Sequence, residues 1–158
     1  MREDLAPASA ADHGDAMALA QHCLGGRKTW RGTVTGGLGL IRRTFVIESE
    51  GTVEDGALVF RETLTFDDEV TQDREWRIAE RPDGLSLEAD GVRLTQPGRV
   101  EDGALVFDYR LVVGGVSVAY HDRFRPDEAG GGCANVGVAR FWGLPVMTIV
   151  CHALPADG

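Results

Sequence analysis

The sequence predicts an all-β protein, an antiparallel up-and-down β-barrel of about nine or ten strands with a short N-terminal helix. From Trp30 onward, apolar and polar residues alternate, as they do along strands that bury one face. Turn signals such as Asp-Gly, Pro-Asp-Gly and Gly-Gly separate these segments at intervals of about ten residues. A closed barrel and a two-sheet sandwich share this pattern, so periodicity alone does not separate them.

The helix is predicted at the start of the chain. Ser9 suits the N-cap of the run AADHGDAMALAQHC, and the pair Gly25 and Gly26 would end it. A partial apolar face indicates that the helix packs against the rest of the fold. This face consists of Met17, Leu19, Ala20 and Leu24.

Ten segments after the helix have the alternation of strands. They lie at roughly residues 29–35, 40–49, 57–66, 70–80, 84–89, 91–96, 104–113, 116–125, 134–142 and 145–153. A chain of 158 residues, 43% of them hydrophobic, suits one domain with one core. We therefore expect a single domain over residues 1–158, with the N-terminal segment and helix in residues 1–25 and the barrel in residues 28–154.

The octapeptide VEDGALVF occurs twice, at residues 53–60 and 100–107. Asp-Gly between alternating hydrophobic residues is a strong hairpin signal, because glycine tolerates the positive φ that such turns need. RETLTFDD follows the first copy and DYRLVVGG the second, so the identity does not extend. The repeat therefore indicates one local turn used twice, rather than a duplicated functional motif.

The first hairpin that follows sets a register for its strands. If residues 67–69 form a three-residue loop, Glu62 lies opposite Arg74, and Phe60 lies opposite Trp76. Side chains alternate between faces, so these residues share the apolar inner face with Leu64. We expect Glu62 and Arg74 to form a cross-strand ion pair inside the barrel.

The second hairpin turns at Gly114 and Gly115. This turn places Tyr109 against Tyr120 and Phe107 against Asp122, again on the inner face. Leu105 then faces Phe124. By the same alternation Arg43 points inward with its apolar neighbours, whereas His121, Arg123 and Arg125 point outward.

An inward set of charged and phenolic side chains needs a physical reason, because losing one partner of a buried ion pair costs about 3–5 kcal/mol. Two interpretations stay open. Either the set is a satisfied network that fixes strand register, or it lines a cavity and orients a ligand or transfers protons. The members are Arg43, Glu62, Arg74, Tyr109, Tyr120 and Asp122.

If the cavity is catalytic, each group has a natural role. Asp122 has no arginine predicted opposite it, so desolvation would raise its pKa and suit it to acid–base work. Glu62 beside Arg74 is better suited to orienting a substrate, and Tyr109 and Tyr120 to stabilising an oxyanion. The predicted ligand-binding walls are Arg43, Phe60, Arg74, Trp76, Phe107 and Phe124.

Charge and cysteine usage exclude several other classes. A net charge of −9 offers little attraction to nucleic acid or to anionic lipid surfaces, so we expect neither as a partner. No apolar run is long enough to span a membrane, and no secretion signal is evident. Three cysteines, an odd number without metal-ligand spacing, are too sparse for a disulfide scaffold and indicate a reducing, cytoplasmic location. No histidine, cysteine or glycine-rich motif suits a metal or a nucleotide, so we predict no metal and no cofactor.

Several segments resemble a bacterial family of small lipocalin-like, calycin-type barrels that is catalogued as a domain of unknown function. The similarity runs from about Leu24 to Leu154 and is carried by GGRKTWRG, IRRTFVIESEG, RETLTFDD, DREW, YHDRF and NVGVARFWGLPVMTIV. It implies a closed barrel with a cavity at one end and a short helix near the other. The family's aspartate pair followed by tryptophan reads His121 to Phe124 here, and its lipid-anchor sequence is missing.

Two functions fit these observations. The first is a lipocalin-like barrel, monomeric or homodimeric, that binds a small hydrophobic or amphiphilic molecule in its interior. The alternative is a cofactor-independent isomerase or cyclase that acts on a hydrophobic substrate by carboxylate acid–base catalysis. A third possibility is a barrel filled by its own side chains, whose surface binds a partner.

Overall fold

The computed structural model describes residues 10–127 and 131–155, which form one helix and ten antiparallel strands. The helix is α1 (Ala10–Leu24). The strands are β1 (Gly26–Gly36), β2 (Ile41–Glu54), β3 (Ala57–Phe66), β4 (Thr71–Arg81), β5 (Gly84–Glu88), β6 (Val92–Glu101), β7 (Ala104–Val113), β8 (Val116–Pro126), β9 (Cys133–Phe141) and β10 (Leu144–Pro155). The predicted cap, Ser9, lies outside the described residues.

The strands close into a barrel in sequence order, with β1 paired to both β2 and β10. Closure is extensive, because the β1–β10 register runs from Lys28 opposite Pro155 to Gly36 opposite Met147. The predicted up-and-down barrel is therefore confirmed, and a sandwich is excluded. Strands β2 and β6 run further than predicted, since their ladders continue up to the Asp-Gly turns.

The helix covers one end of the barrel, which we call the closed end. Ala16, Ala20 and Leu24 are buried there. The helix stops where the Gly25 amide donates to the Gln21 carbonyl at 2.8 Å, as the glycine pair predicted. We call the opposite end the mouth. It consists of the connections β1–β2, β3–β4, β5–β6, β7–β8 and β9–β10.

Both VEDGALVF copies form the same hairpin turn at the closed end. Asp55 and Gly56 have φ of 51° and 78°, and Asp102 and Gly103 have 50° and 75°. Positive φ at both central residues is the geometry of the hairpin turns that favour Asp-Gly. The next residues of each copy enter the core, which holds Ala57, Leu58, Phe60, Ala104, Leu105 and Phe107.

The cysteine prediction was wrong for two of the three residues. Cys23 in α1 and Cys133 in β9 form a disulfide that spans 110 residues of sequence, and both are fully buried. The barrel brings them together across its closed end, a proximity that sequence spacing does not show. Cys151 is free and buried. Among the described helical residues, no segment is long and apolar enough to cross a membrane.

Candidate functional site

The interior of the barrel contains a cavity of about 590 Å³ that reaches the mouth. All ten predicted site residues border it, whereas their catalytic or binding roles stay predictions. They are Arg43, Phe60, Glu62, Arg74, Trp76, Phe107, Tyr109, Tyr120, Asp122 and Phe124. Ile41 and Val146 border the cavity as well and are 57% and 41% exposed, which places the opening beside them.

The hairpin registers are confirmed. Glu62 pairs with Arg74 across β3 and β4, and Phe60 pairs with Trp76. Across β7 and β8, Tyr109 pairs with Tyr120, Phe107 with Asp122 and Leu105 with Phe124. Turn chemistry therefore fixed which side chains face the cavity.

The expected ion pair between Glu62 and Arg74 is not formed. The Glu62 carboxylate instead accepts a hydrogen bond from the Trp76 indole, with Nε1 3.0 Å from Oε1. Burial raises the pKa of Glu62, and the hydrogen bond and the Arg74 charge only partly oppose that shift. Strand pairing sets the positions of the Cα atoms, but an indole two residues along competes for the carboxylate.

Asp122 bonds a tyrosine. The Tyr109 hydroxyl donates to Oδ2 of Asp122 at 2.5 Å. Burial raises the pKa of Asp122, against the opposing effect of this bond, and it raises the pKa of Tyr109 well above its ordinary value. Burial therefore shifts both groups toward their protonated forms. The accessible part of Asp122 faces the cavity that it lines.

Gly137 makes room for the Asp122 carboxylate. It lies directly opposite Asp122 on β9. A Cβ at this position would lie 2.4 Å from Oδ1 of Asp122, closer than any side chain tolerates without movement. The inward carboxylate therefore depends on the missing side chain across the ladder.

Aromatic rings connect the two carboxyl groups. Trp76 packs edge-on against Tyr109 with centroids 5.9 Å apart, and Tyr109 stacks on Tyr120 at 5.4 Å and 3°. Glu62 bonds Trp76 at one end of this series, and Asp122 bonds Tyr109 in its middle. The arrangement gives a rigid aromatic wall that carries two protonatable groups.

The two cavity arginines differ in their surroundings. Arg43, near the mouth, forms ion pairs with Asp68 at 2.6 Å and Asp67 at 3.4 Å, and its guanidinium lies 4.3 Å from the Phe66 ring centroid. Arg74 lies 5.5 Å from the Trp76 ring centroid. In the described parts of the chain, its guanidinium has neither an ion pair nor a hydrogen bond.

Sequence reasoning missed further cavity residues on β9 and β10. Asn135 donates to the Arg123 carbonyl at 3.1 Å and accepts from the Cys151 thiol at 3.5 Å. Burial raises the pKa of Cys151 to about 12, so it stays a thiol. The alternation in NVGVARF puts Asn135 and Gly137 on one face, and this signal could have identified them.

The closed-end floor of the cavity is aromatic. Phe124 packs edge-on against Trp30 at 6.2 Å and against Phe107 at 6.5 Å between ring centroids. The lining of the cavity therefore changes along the barrel axis. It is apolar and aromatic at the floor, and it carries protonatable side chains between the floor and the mouth. Within residues 10–127 and 131–155, no group of three or more histidine, cysteine or acidic side chains could hold a metal ion.

Comparison with known proteins identifies a family. No curated protein matches the chain. The family described as "Protein of unknown function (DUF3833)" matches residues 3–127, more than half of the 158 residues. The chain therefore belongs to this family of proteins of unknown function. The predicted resemblance to a barrel family of unknown function is confirmed, but the match ends at residue 127, whereas the predicted similarity ran to Leu154.

Proposed function

We propose that the protein binds one small hydrophobic or amphiphilic molecule inside its barrel. The observation that carries the proposal is the cavity of about 590 Å³, which lies within the range of roughly 300–1,000 Å³ typical of small-molecule sites. Its walls are mostly apolar, and its polar groups are few and clustered. Such a composition favours a molecule with an apolar body and one polar end.

The alternative of a barrel filled by its own side chains is less well supported. The core packs tightly at the closed end, where Leu58, Leu105 and Phe107 are at most 2% exposed. Further toward the mouth, Ile47, Leu64 and Phe66 are only partly buried. These three side chains border the cavity, so the interior is not completely filled at this level.

Titration with dansyl-undecanoic acid tests the proposal. We expect saturable one-to-one binding, a blue-shifted dansyl emission, and displacement by dodecanoate. A control titration of the protein unfolded in denaturant should show none of these changes. Failure of the folded protein to bind the probe or any competing amphiphile at millimolar concentrations would refute interior binding.

A second candidate function is a cofactor-independent isomerase or cyclase. The supporting observation is the contact between Asp122 and Tyr109, with the pKa of Asp122 raised by burial. A carboxyl with a raised pKa can hold a proton near neutral pH and deliver it to a bound substrate. Glu62, whose pKa is also raised by burial, borders the same cavity and is a second candidate proton carrier.

Asp122→Asn separates the two functions. In an enzyme this substitution should abolish product formation and leave probe affinity nearly unchanged, because the amide keeps the shape and one acceptor of the carboxylate. An activity that survives Asp122→Asn at wild-type rate would exclude Asp122 as the acid or base.

The disulfide bears on the cellular compartment of the protein. A cytoplasmic location remains the sequence-based prediction, but the disulfide between Cys23 and Cys133 argues against it, since disulfides are rare in reducing compartments. We infer an oxidising environment. Alkylation without reductant, followed by mass spectrometry, should label Cys151 alone after unfolding. Labelling of all three cysteines in protein isolated from its native cell would contradict this inference.

A further inference from the structure

Arg74 forms no ion pair within residues 10–127 and 131–155. It borders the cavity, is partly buried, and its guanidinium lies 5.5 Å from the Trp76 ring centroid. The other inward cation on the same cross-strand row, Lys28, is occupied, because its ammonium donates to the Gly25 carbonyl at the end of α1. Arg43 is neutralised by two aspartates at the mouth.

Neither inward carboxyl beside Arg74 forms an ion pair with it, because each is held by another side chain. Glu62 is bound by Trp76, and Asp122 is bound by Tyr109. The Tyr120 hydroxyl has no hydrogen-bond partner within residues 10–127 and 131–155, although the ring borders the same cavity. A guanidinium and a free phenol at one cavity therefore offer donors and positive charge, which is how proteins recognise oxyanions.

We propose that the polar end of the ligand is an oxyanion, a carboxylate or a sulfate or phosphate ester, which binds Arg74 and Tyr120. The apolar body then lies against the aromatic floor around Phe107 and Phe124. This inference rests on the proposed binding function and specifies its ligand class.

Matched probes test the inference. We would measure binding of dodecanoate, dodecyl sulfate, dodecanol and dodecyltrimethylammonium by competition with dansyl-undecanoic acid. The wild type should bind the two anions at least about tenfold more tightly than the alcohol, since a hydrogen bond to a charged group typically contributes that much. Arg74→Gln should remove this preference and leave alcohol binding unchanged.

Arg31→Gln is the matched control, because Arg31 is exposed on the outer face of β1. It should keep the preference for anions, and its melting temperature should show that losing an arginine does not unfold the barrel. Equal affinity for all four chains, or an anion preference that survives Arg74→Gln, would overturn the oxyanion site and leave interior binding intact. Binding of none of the four would refute both.

A second inference rests on a different observation, the apolar surface around the mouth. Among the residues whose exposure the structure describes, nine of the thirteen exposed large hydrophobic residues lie at this end of the barrel. The nine are Leu40, Ile41, Val70, Val112, Val116, Phe141, Trp142, Leu144 and Val146. We call them the apolar rim. Several large apolar side chains exposed at one end of a protein are typical of an interaction site.

Trp142 is the most informative member of the rim. It is 87% exposed, and its φ is 55°, a conformation that bulky residues rarely adopt. With Gly143 it occupies the turn position that Asp-Gly fills in both closed-end hairpins. Turn chemistry therefore does not explain a tryptophan here, and burial in the barrel does not explain it either.

Charge at the mouth differs from the charge of the whole chain. Asp67 and Asp68 are ion-paired with Arg43. Three arginines lie on strand ends at the mouth and have no ion pair in the described structure: Arg42, Arg93 and Arg140. The unpaired acidic residues near them are Glu69 and Asp90. The net charge of −9 is therefore carried elsewhere, and the rim does not repel a lipid headgroup layer.

We infer that the apolar rim rests on the surface of a phospholipid bilayer. Leu40 and Trp142 then lie at the boundary between the headgroups and the acyl chains. A tryptophan at a tip, leucines beside it and unpaired arginines behind it match the interfacial layer of a bilayer. The contact would also place the mouth of the cavity where amphiphiles are dissolved. This inference differs from the sequence-based expectation of no membrane partner, because that expectation rested on the net charge of the whole chain.

Vesicle flotation tests the contact, with phosphatidylcholine vesicles and with phosphatidylcholine containing phosphatidylglycerol. The wild type should float with the vesicles and show a blue shift in tryptophan emission from Trp142, since Trp30 and Trp76 are already sheltered. Leu40→Ser with Trp142→Gly should weaken binding by at least about tenfold, because two large apolar side chains no longer leave water. Glycine suits the positive φ at position 142.

Val150→Ser is the control, because Val150 is 51% exposed on the outer face of β10, away from the rim. It should float like the wild type. Absence of flotation with both lipid mixtures, or equal flotation of the rim variant, would overturn the inference. A concentration-dependent dimer that the rim substitutions abolish would assign the rim to a second copy of the chain instead, and would also overturn it.

Discussion

The closed end and the mouth of the barrel are built from the same ten strands but treat apolar residues in opposite ways. At the closed end, Leu58, Leu105 and Phe107 are at most 2% exposed beneath α1. At the mouth, Leu40 and Trp142 are 89% and 87% exposed. The packed core at the closed end therefore contributes stability, whereas the mouth keeps an open cavity and an exposed apolar surface.

The turns at the two ends show the same division. The closed-end hairpins use Asp-Gly, the pair best suited to positive φ at both positions. The mouth uses Gly-Gly at residues 114–115 and Trp-Gly at residues 142–143 with the same backbone geometry. Asp-Gly and Gly-Gly both suit these turns, whereas Trp142 at the mouth departs from the preference of its turn. Such departures are the sites at which function is to be sought.

The largest expected effect on stability comes from removing the disulfide at the closed end. The double substitution Cys23→Ala and Cys133→Ala should lower the free energy of unfolding by about 2–5 kcal/mol, because the disulfide closes a long loop. Cys151→Ala, which removes a buried thiol but no crosslink, should cost much less. Chemical denaturation of the three proteins measures both values. A double variant as stable as Cys151→Ala would show that the closed end does not depend on the crosslink.

Gly137→Ala should have the next largest effect. The new Cβ would lie 2.4 Å from the Asp122 carboxylate, and relieving this overlap should cost about 1–3 kcal/mol. Combining it with Asp122→Ala should recover most of the loss, as chemical denaturation of the double-mutant cycle will show. Additive losses would mean that the two residues do not oppose each other across the ladder.

The pH dependence of stability distinguishes interior from mouth carboxylates. Burial raises the folded-state pKa of Asp122 above the unfolded value of about 4, so the stability it contributes is present below that pH and is lost as pH rises through the folded-state pKa. Thermal unfolding of Asp122→Asn should therefore show a gain over the wild type that grows as the pH is raised.

Asp67 at the mouth should behave in the opposite way. A hydrogen bond from the Thr44 amide, followed by the contact with Arg43, lowers the pKa of Asp67. Its contribution is present above the unfolded pKa and is lost as the pH falls through the folded-state pKa. Asp67→Asn should therefore be less stable than the wild type at neutral pH and equal to it in acid. Parallel pH curves for the two variants would contradict both assignments.

The smallest effect is expected at the turns themselves. Trp142→Asn should raise the free energy of unfolding by several tenths to about 1 kcal/mol, because asparagine accepts positive φ more readily than tryptophan. Asp102→Trp, the reverse exchange at the closed end, should lower it by a similar amount. Equal and opposite shifts in thermal unfolding would confirm that tryptophan at the mouth is retained against the preference of the turn.

Much of this architecture could be predicted from the sequence, because hairpin turns fix strand register and alternation then fixes the inner face. Glu62, Tyr109 and Asp122 were placed in the interior in this way, and the structure keeps each of them there. Ten strands were also found, with ends that differ where ladders continue into turns.

The remaining features depend on contacts between distant strands. The Cys23–Cys133 disulfide and the space that Gly137 leaves for Asp122 arise from barrel closure and from the β8–β9 pairing, which local turn rules did not assign. The contact between Trp76 and Glu62 replaced the expected pair with Arg74, because side-chain rotamers rather than register decide which donor reaches a carboxylate. Strand register therefore predicts which residues are neighbours, whereas side-chain packing determines which hydrogen bonds they form.

The most direct test of interior binding uses two adjacent residues on β10. Ile149 borders the cavity, whereas Val150 is exposed on the outer face. Titration of dansyl-undecanoic acid into Ile149→Trp and Val150→Trp compares a filled cavity with the same bulk added outside, after thermal unfolding shows that both proteins are folded. If the ligand lies inside the barrel, Ile149→Trp loses saturable binding and Val150→Trp keeps wild-type affinity. Wild-type binding by folded Ile149→Trp would contradict the claim that the barrel interior is the site.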